Sequence, residues 1–177
     1  MNETRDSHTY DRRGFLRSTM AAGGGLVLAA RASGGTASST PGELRVALIG
    51  AGTQGQALLN AALKIPEIQF QAVCDIWENY NLQQASRILT GFQQEHKTYT
   101  NYQDLLANEK GLNAVLIATP DFCHAEQTVA CLKAGLPVYC EPPMSNTLEG
   151  ARQMVQAAKE TGQLLQVGFQ RRSNPWY

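Results

Sequence analysis

Neither sign of charge is in excess, since lysine plus arginine and aspartate plus glutamate number 15 each. A nucleic-acid partner is therefore not expected, because polyanion binding asks for a basic surplus. Cysteine is scarce and unpaired in pattern: Cys74, Cys123, Cys131 and Cys140 form no CxxC spacing. Neither a zinc centre nor a disulfide framework follows from that arrangement, and no metal is expected; buried free thiols are the simpler reading. Long apolar runs are missing as well. The longest weakly apolar stretch, Met20 to Ala30, is too short and glycine-rich to span a bilayer. With 177 residues and 43% hydrophobic content, the chain has material for one domain with a core and too little for two of ordinary size.

The first 32 residues hold Arg5, Arg12, Arg13, Arg17 and Arg31, leaving a mildly acidic body behind them. Asp11-Arg12-Arg13-Gly14-Phe15-Leu16-Arg17, the apolar stretch and Ala30-Arg31-Ala32 have the order of a cleavable targeting segment. The pattern resembles a twin-arginine export signal, with Asp11 where serine or threonine usually stands. A periplasmic or extracellular protein with no membrane anchor after cleavage at Ala32 is expected; the alternative is a disordered basic tail. Residues 33–43, rich in Ser, Thr and Gly, suit a flexible linker. The remainder, 44–177, is read as one folded domain.

Leu44 to Ile49 is a nearly unbroken apolar run, as a strand buried on both faces requires. Gly50-Ala51-Gly52-Thr53-Gln54-Gly55 follows, then a helix predicted over Thr53 to Lys64 with Leu58, Ala61 and Ala62 on one face. In this GxGxxG spacing Gly50 permits a tight turn, Gly52 lets backbone approach a pyrophosphate, and Gly55 allows helix to pack on strand. A second strand from Ile68 to Cys74 ends at Asp75, twenty positions beyond Gly55. There a carboxylate would accept a ribose hydroxyl and repel a 2′-phosphate, favouring NAD over NADP. A glycine loop alone is also compatible with an ordinary strand-to-helix turn.

Further on, Tyr80, Ala85, Ile88 and Leu89 predict a helix within residues 77–94, and Trp77 reads either as an adenine neighbour or as a packing residue. A short strand at His96 to Thr100, a helix at Tyr102 to Ala107 and a buried strand at Ala114 to Ala118 lead to Thr119-Pro120. A helix from Phe122 to Lys133, a strand from Pro137 to Glu141, a helix capped by Asn146 with Glu149, and a strand from Leu164 to Phe169 complete the series. Such alternation predicts an α/β, Rossmann-type doubly wound fold with a mainly parallel sheet. Among candidate acid-base groups, Glu141 either faces the nicotinamide or is satisfied by nearby amides. His124 is either catalytic or a helix-start residue bonded to a neighbouring loop. Arg171 and Arg172 could meet an anion or simply be solvated.

The glycine loop, Asp75, Ala118-Thr119-Pro120 with His124, Cys140-Glu141-Pro142-Pro143 and Val167-Gly168-Phe169-Gln170-Arg171-Arg172 together resemble the N-terminal half of the Gfo/Idh/MocA oxidoreductases. The resemblance implies NAD-linked hydride transfer at a hydroxyl carbon of a sugar or cyclitol, with Gly50, Gly52, Thr53, Gln54, Gly55, Asp75, Thr119, Pro120 and Glu141 holding cofactor. It also implies a sugar-like small-molecule substrate, and is compatible with a homo-oligomer. The family's Glu-Lys-Pro is here Glu141-Pro142-Pro143, so the lysine beside the nicotinamide is a proline. Its usual second domain, which supplies the base, has no counterpart in residues 1–177. Two further readings therefore stand beside the dehydrogenase: a truncated module that binds NAD without turnover, and an NAD-dependent glycosidase of the same family.

Overall fold

The computed structural model describes residues 42–169. The expected export signal, nearly all of the expected linker, and Arg171 and Arg172 lie outside them.

Six parallel strands, β1 (Leu44–Ile49), β2 (Ile68–Cys74), β3 (Lys97–Tyr99), β4 (Ala114–Ile117), β5 (Val138–Cys140) and β6 (Leu165–Val167), pair in the order β3-β2-β1-β4-β5-β6. The chain fills one side of β1, then crosses back and fills the other. That reversal opens a crevice at the carboxyl ends of β1 and β4. The helices are α1 (Thr53–Ala62), α2 (Gln83–Gly91), α3 (Tyr102–Asn108), α4 (Asp121–Lys133) and α5 (Leu148–Thr161), with a π-helical turn at Glu78–Leu82 leading into α2. The expected Rossmann-type fold is the observed one.

Strand β1 explains the two-sided core. Val46 and Leu48 join Leu59, Phe70, Val73, Leu82, Ala85 and Leu89 on one face, under α1 and α2. Ala47 and Ile49 join Leu105, Val115, Ile117, Cys131, Leu132 and Met154 on the other, under α3, α4 and α5. Because both faces are covered, the run is apolar throughout rather than alternating.

Three local expectations are corrected. Helix α1 buries Gly55 and Leu59, while Ala61 is exposed, because its packing contact is set by Gly55 against the loop. Tyr80 is 62% exposed and Leu82 is buried instead, since the π turn, closed by Leu82 N–H donating to Trp77 O at 3.2 Å, rotates the following residues. Thr147 rather than Asn146 caps α5: its Oγ1 accepts from the Gly150 amide at 3.0 Å. The cysteines are free, with Cys74, Cys131 and Cys140 buried and Cys123 half-buried.

Candidate functional site

A cavity of about 740 Å³ occupies the crevice, walled by the glycine loop, the Asp75 turn, the start of α3 and the Thr119-Pro120 loop with α4. Each glycine of the loop has a different geometric reason. Gly50 adopts φ +91°, and a Cβ there would stand 2.6 Å from the Ala118 carbonyl carbon. Gly55 has no room at all, because a Cβ would strike the Gly50 carbonyl oxygen. Gly52 is the opposite case. Its φ of −67° suits any residue, and a Cβ would meet nothing nearer than Asn81 Nδ2 at 3.9 Å. Nothing in the protein itself demands glycine there, and the missing side chain leaves the backbone at position 52 open to the cavity.

Gly52 is also the N-cap of α1 and offers no side-chain cap, and the first turn carries no acidic residue. The amides of the first turn have no intrahelical acceptor and present a positive end to the cavity. A helix start with neither a side-chain cap nor an acid in its first turn is suited to a phosphate. Across the crevice, Asp75 is fixed by three donors: Ala51 N–H to Oδ2 at 2.7 Å, Trp77 N–H to Oδ1 at 2.8 Å, and Asn81 Nδ2 to Oδ1 at 3.1 Å. These contacts hold the carboxylate at the end of β2, facing the cavity it lines.

Gly50, Gly52, Thr53, Gln54, Asp75, Thr119 and Pro120 all line the cavity, whereas Gly55 supports the loop from beneath. Thr119 commits its hydroxyl to Gln127 Oε1 at 2.6 Å. Glu141 stands outside the cavity lining, and neither of its two readings holds as stated: its carboxylate is met by side chains, Gln54 Nε2 and Tyr139 Oη, both at 3.0 Å. Burial and the bond to Glu141 push the Tyr139 phenol up to about 12, so at neutral pH it donates. His124 is 1% exposed, with Nδ1 2.7 Å from the Pro143 carbonyl and Nε2 2.7 Å from the Thr119 carbonyl. The ring is wedged between carbonyls of the two loops, its N–H donating to one of them, and His124 is not among the residues that line the cavity. Trp77 does line it, 68% exposed, which removes the packing alternative.

Sequence reasoning missed Asn81, Asn101, Tyr102, Phe122, Glu126 and Gln127, all of which line the cavity. Asn81 depends on the π turn, which no periodicity announces. Gln127 had a usable signal, because it lies on α4 two turns beyond the Thr119-Pro120 loop. Burial followed by the charge of Asp75 pushes the Cys74 thiol up to about 12, so Cys74 is an inert part of the wall.

An open glycine cradle, an uncapped helix start and an anchored carboxylate, set at the reversal of a parallel sheet, define a dinucleotide-binding Rossmann domain. Residues 44–169 match the family model described as "Oxidoreductase family, NAD-binding Rossmann fold", that of Gfo/Idh/MocA. The chain belongs to this NAD-binding oxidoreductase family. Inositol 2-dehydrogenase of Klebsiella pneumoniae is 35% identical over 131 residues, covering 73% of this chain and 37% of the relative. 4-Carboxy-2-hydroxymuconate-6-semialdehyde dehydrogenase of Sphingobium is 30% identical, over 75% of this chain and 40% of the relative. Among solved structures, myo-inositol 2-dehydrogenase from Lactobacillus plantarum superimposes with a TM-score of 0.67 at 31% identity, covering 75% and 38% of the two chains. The WlbA dehydrogenase from Bordetella pertussis, in complex with NADH and UDP-GlcNAcA, gives 0.65 at 29% identity, covering 75% and 39%. The chain spans less than half the length of these relatives.

Proposed function

We propose that this chain is the cofactor domain of an exported, NAD-linked oxidoreductase that moves hydride to or from a hydroxyl carbon of a sugar- or cyclitol-like substrate. In this reading residues 1–32 are a twin-arginine signal, 33–43 a linker and 44–177 the cofactor domain, and the mature protein is periplasmic or extracellular. The observation that carries the nucleotide assignment is Gly52, whose bare backbone opens to the cavity at the mouth of a helix with no side-chain cap. The substrate class is supported by the inositol dehydrogenases among the relatives.

Bound NAD would supply the hydride acceptor or donor. The chain's own contribution is to bind and orient. Gly52 and the first-turn amides of α1 would take the pyrophosphate, and Asp75 a ribose hydroxyl while repelling a 2′-phosphate. The Gln54–Glu141–Tyr139 bonds and the His124 clamp fix the loops after β4 and β5 against the glycine loop. Pro142 has no group able to move a proton, so the substrate's proton needs another base within about 3 Å. Pro142 does not exclude a second reading, in which transient oxidation, needing the same proton acceptor, serves glycoside cleavage with no net NADH.

The test is a titration of the full chain with NADH, followed through energy transfer from the cavity-lining Trp77, together with turnover assays on polyols, sugars and aryl glycosides. NADH binding with net NADH production supports the dehydrogenase, while leaving-group release without net NADH supports the glycosidase. Binding with neither activity leaves the non-catalytic NAD module, and loss of binding itself would sink the proposal.

A further inference from the structure

The acceptor capacity of Asp75 is smaller than its position suggests. A carboxylate oxygen has two lone pairs. Oδ1 spends both, on the Trp77 amide at 2.8 Å and on Asn81 Nδ2 at 3.1 Å, and Oδ2 spends one on the Ala51 amide at 2.7 Å. One acceptor position remains. A ribose presents two vicinal hydroxyls, so Asp75 can take only one of them.

Asn81 supplies what is missing. Its amide orientation is fixed by chemistry, because a carboxylate only accepts and the nitrogen must therefore be the atom facing Asp75. The amide oxygen is then the remaining polar atom, and among the described residues no protein donor meets it. Asn81 is half-buried, lines the cavity, and has its amide 3.9 Å from where a Gly52 Cβ would stand, between the carboxylate and the loop's point of closest approach. It is carried there by the π-helical turn Glu78–Leu82. Single π turns recur at functional sites because they displace a side chain from the ordinary helical path.

We propose that Asn81 is the second acceptor of the cofactor ribose, taking one hydroxyl on its Oδ1 while Asp75 takes the other on Oδ2. The inference rests on the dinucleotide reading above and assigns a specificity-determining residue within that site.

Affinities of the full chain for NAD and for its 2′-deoxy and 3′-deoxy analogues on the adenosine ribose, measured by calorimetry, separate the cases. In the wild type each deletion should weaken binding about fivefold to tenfold, one hydroxyl-to-acceptor bond apiece. In Asn81→Ala, NAD should weaken about tenfold, whereas one of the two deoxy analogues should bind variant and wild type alike. A uniform loss against NAD and both analogues would make Asn81 a mere support for Asp75 and overturn the proposal. So would a wild type sensitive to only one hydroxyl, a measurement that needs no variant to fold. Failure of the wild type to bind NAD at all would instead count against the dinucleotide reading itself.

Discussion

At the residue scale, the three glycines of one short loop differ in what they cost to replace. Gly55 packs its bare Cα on the Gly50 carbonyl, so Gly55→Ala forces backbone apart and should destabilise the fold by about 2 kcal/mol or more. Gly52 faces the cavity with an ordinary φ of −67°, so Gly52→Val should change the melting temperature little and abolish NADH binding. Thermal melts and a titration on the two variants check this, and a Gly52→Val protein that still binds NADH would contradict the cradle. These roles were legible in sequence because they belong to a strand, a turn and a helix contiguous in the chain. The third donor to Asp75 was not, since Asn81 reaches the carboxylate only through a π turn. Glu141 was legible as a strand-end carboxylate, but its partners, Gln54 and Tyr139, come from the far side of the crevice and from its own strand.

At the element scale, the edge strand β3 is held by a carboxylate. Glu109, just past α3 and 5% exposed, accepts from Tyr99 Oη, from Lys97 Nζ at 3.0 Å and from Gln71 Nε2 at 2.7 Å. Gln71 is free to reach it because β2 bulges there: Val46 pairs with Phe70 but Ala47 with Ala72. Burial alone would raise the Glu109 carboxyl, but the bonds from Tyr99, Lys97 and Gln71 and the charge of Lys97 outweigh it and hold the group below its ordinary 4.5. A depressed folded value means that this stability is complete above about pH 4.5 and is lost as pH falls through the folded value. Glu109→Gln should cost about 2 kcal/mol at neutral pH and flatten the acid limb of stability against pH. Melting temperatures from pH 3 to 7 decide it, and parallel acid limbs in both proteins would refute the assignment. Element type and order were readable because each apolar run and its flanking turns are local. The buried stripe of α1 and the cap of α5 were not: the first is chosen by the glycine loop it packs on, the second by whether Thr147 or Asn146 turns its side chain to the Gly150 amide.

At the scale of the whole domain, the sheet order places the cavity-lining residues at the carboxyl end of parallel strands, with the reversal at β1 and β4 opening the crevice such a sheet provides. Packed clusters cover both faces of that platform, and the His124 ring lies 2.7 Å from a carbonyl of each of the loops after β4 and β5. In the proposed reading, discrimination against a 2′-phosphate falls to the one anchored negative charge in the crevice, Asp75. The most direct measurement is the ratio of NAD to NADP affinity for the full chain and for Asp75→Ala, by calorimetry. A carboxylate beside a ribose 2′-phosphate predicts that the wild type binds NAD at least about tenfold more tightly than NADP, and that the variant narrows or erases the difference. Equal affinities in the wild type, or a ratio untouched by the substitution, would contradict the placement of the ribose at Asp75.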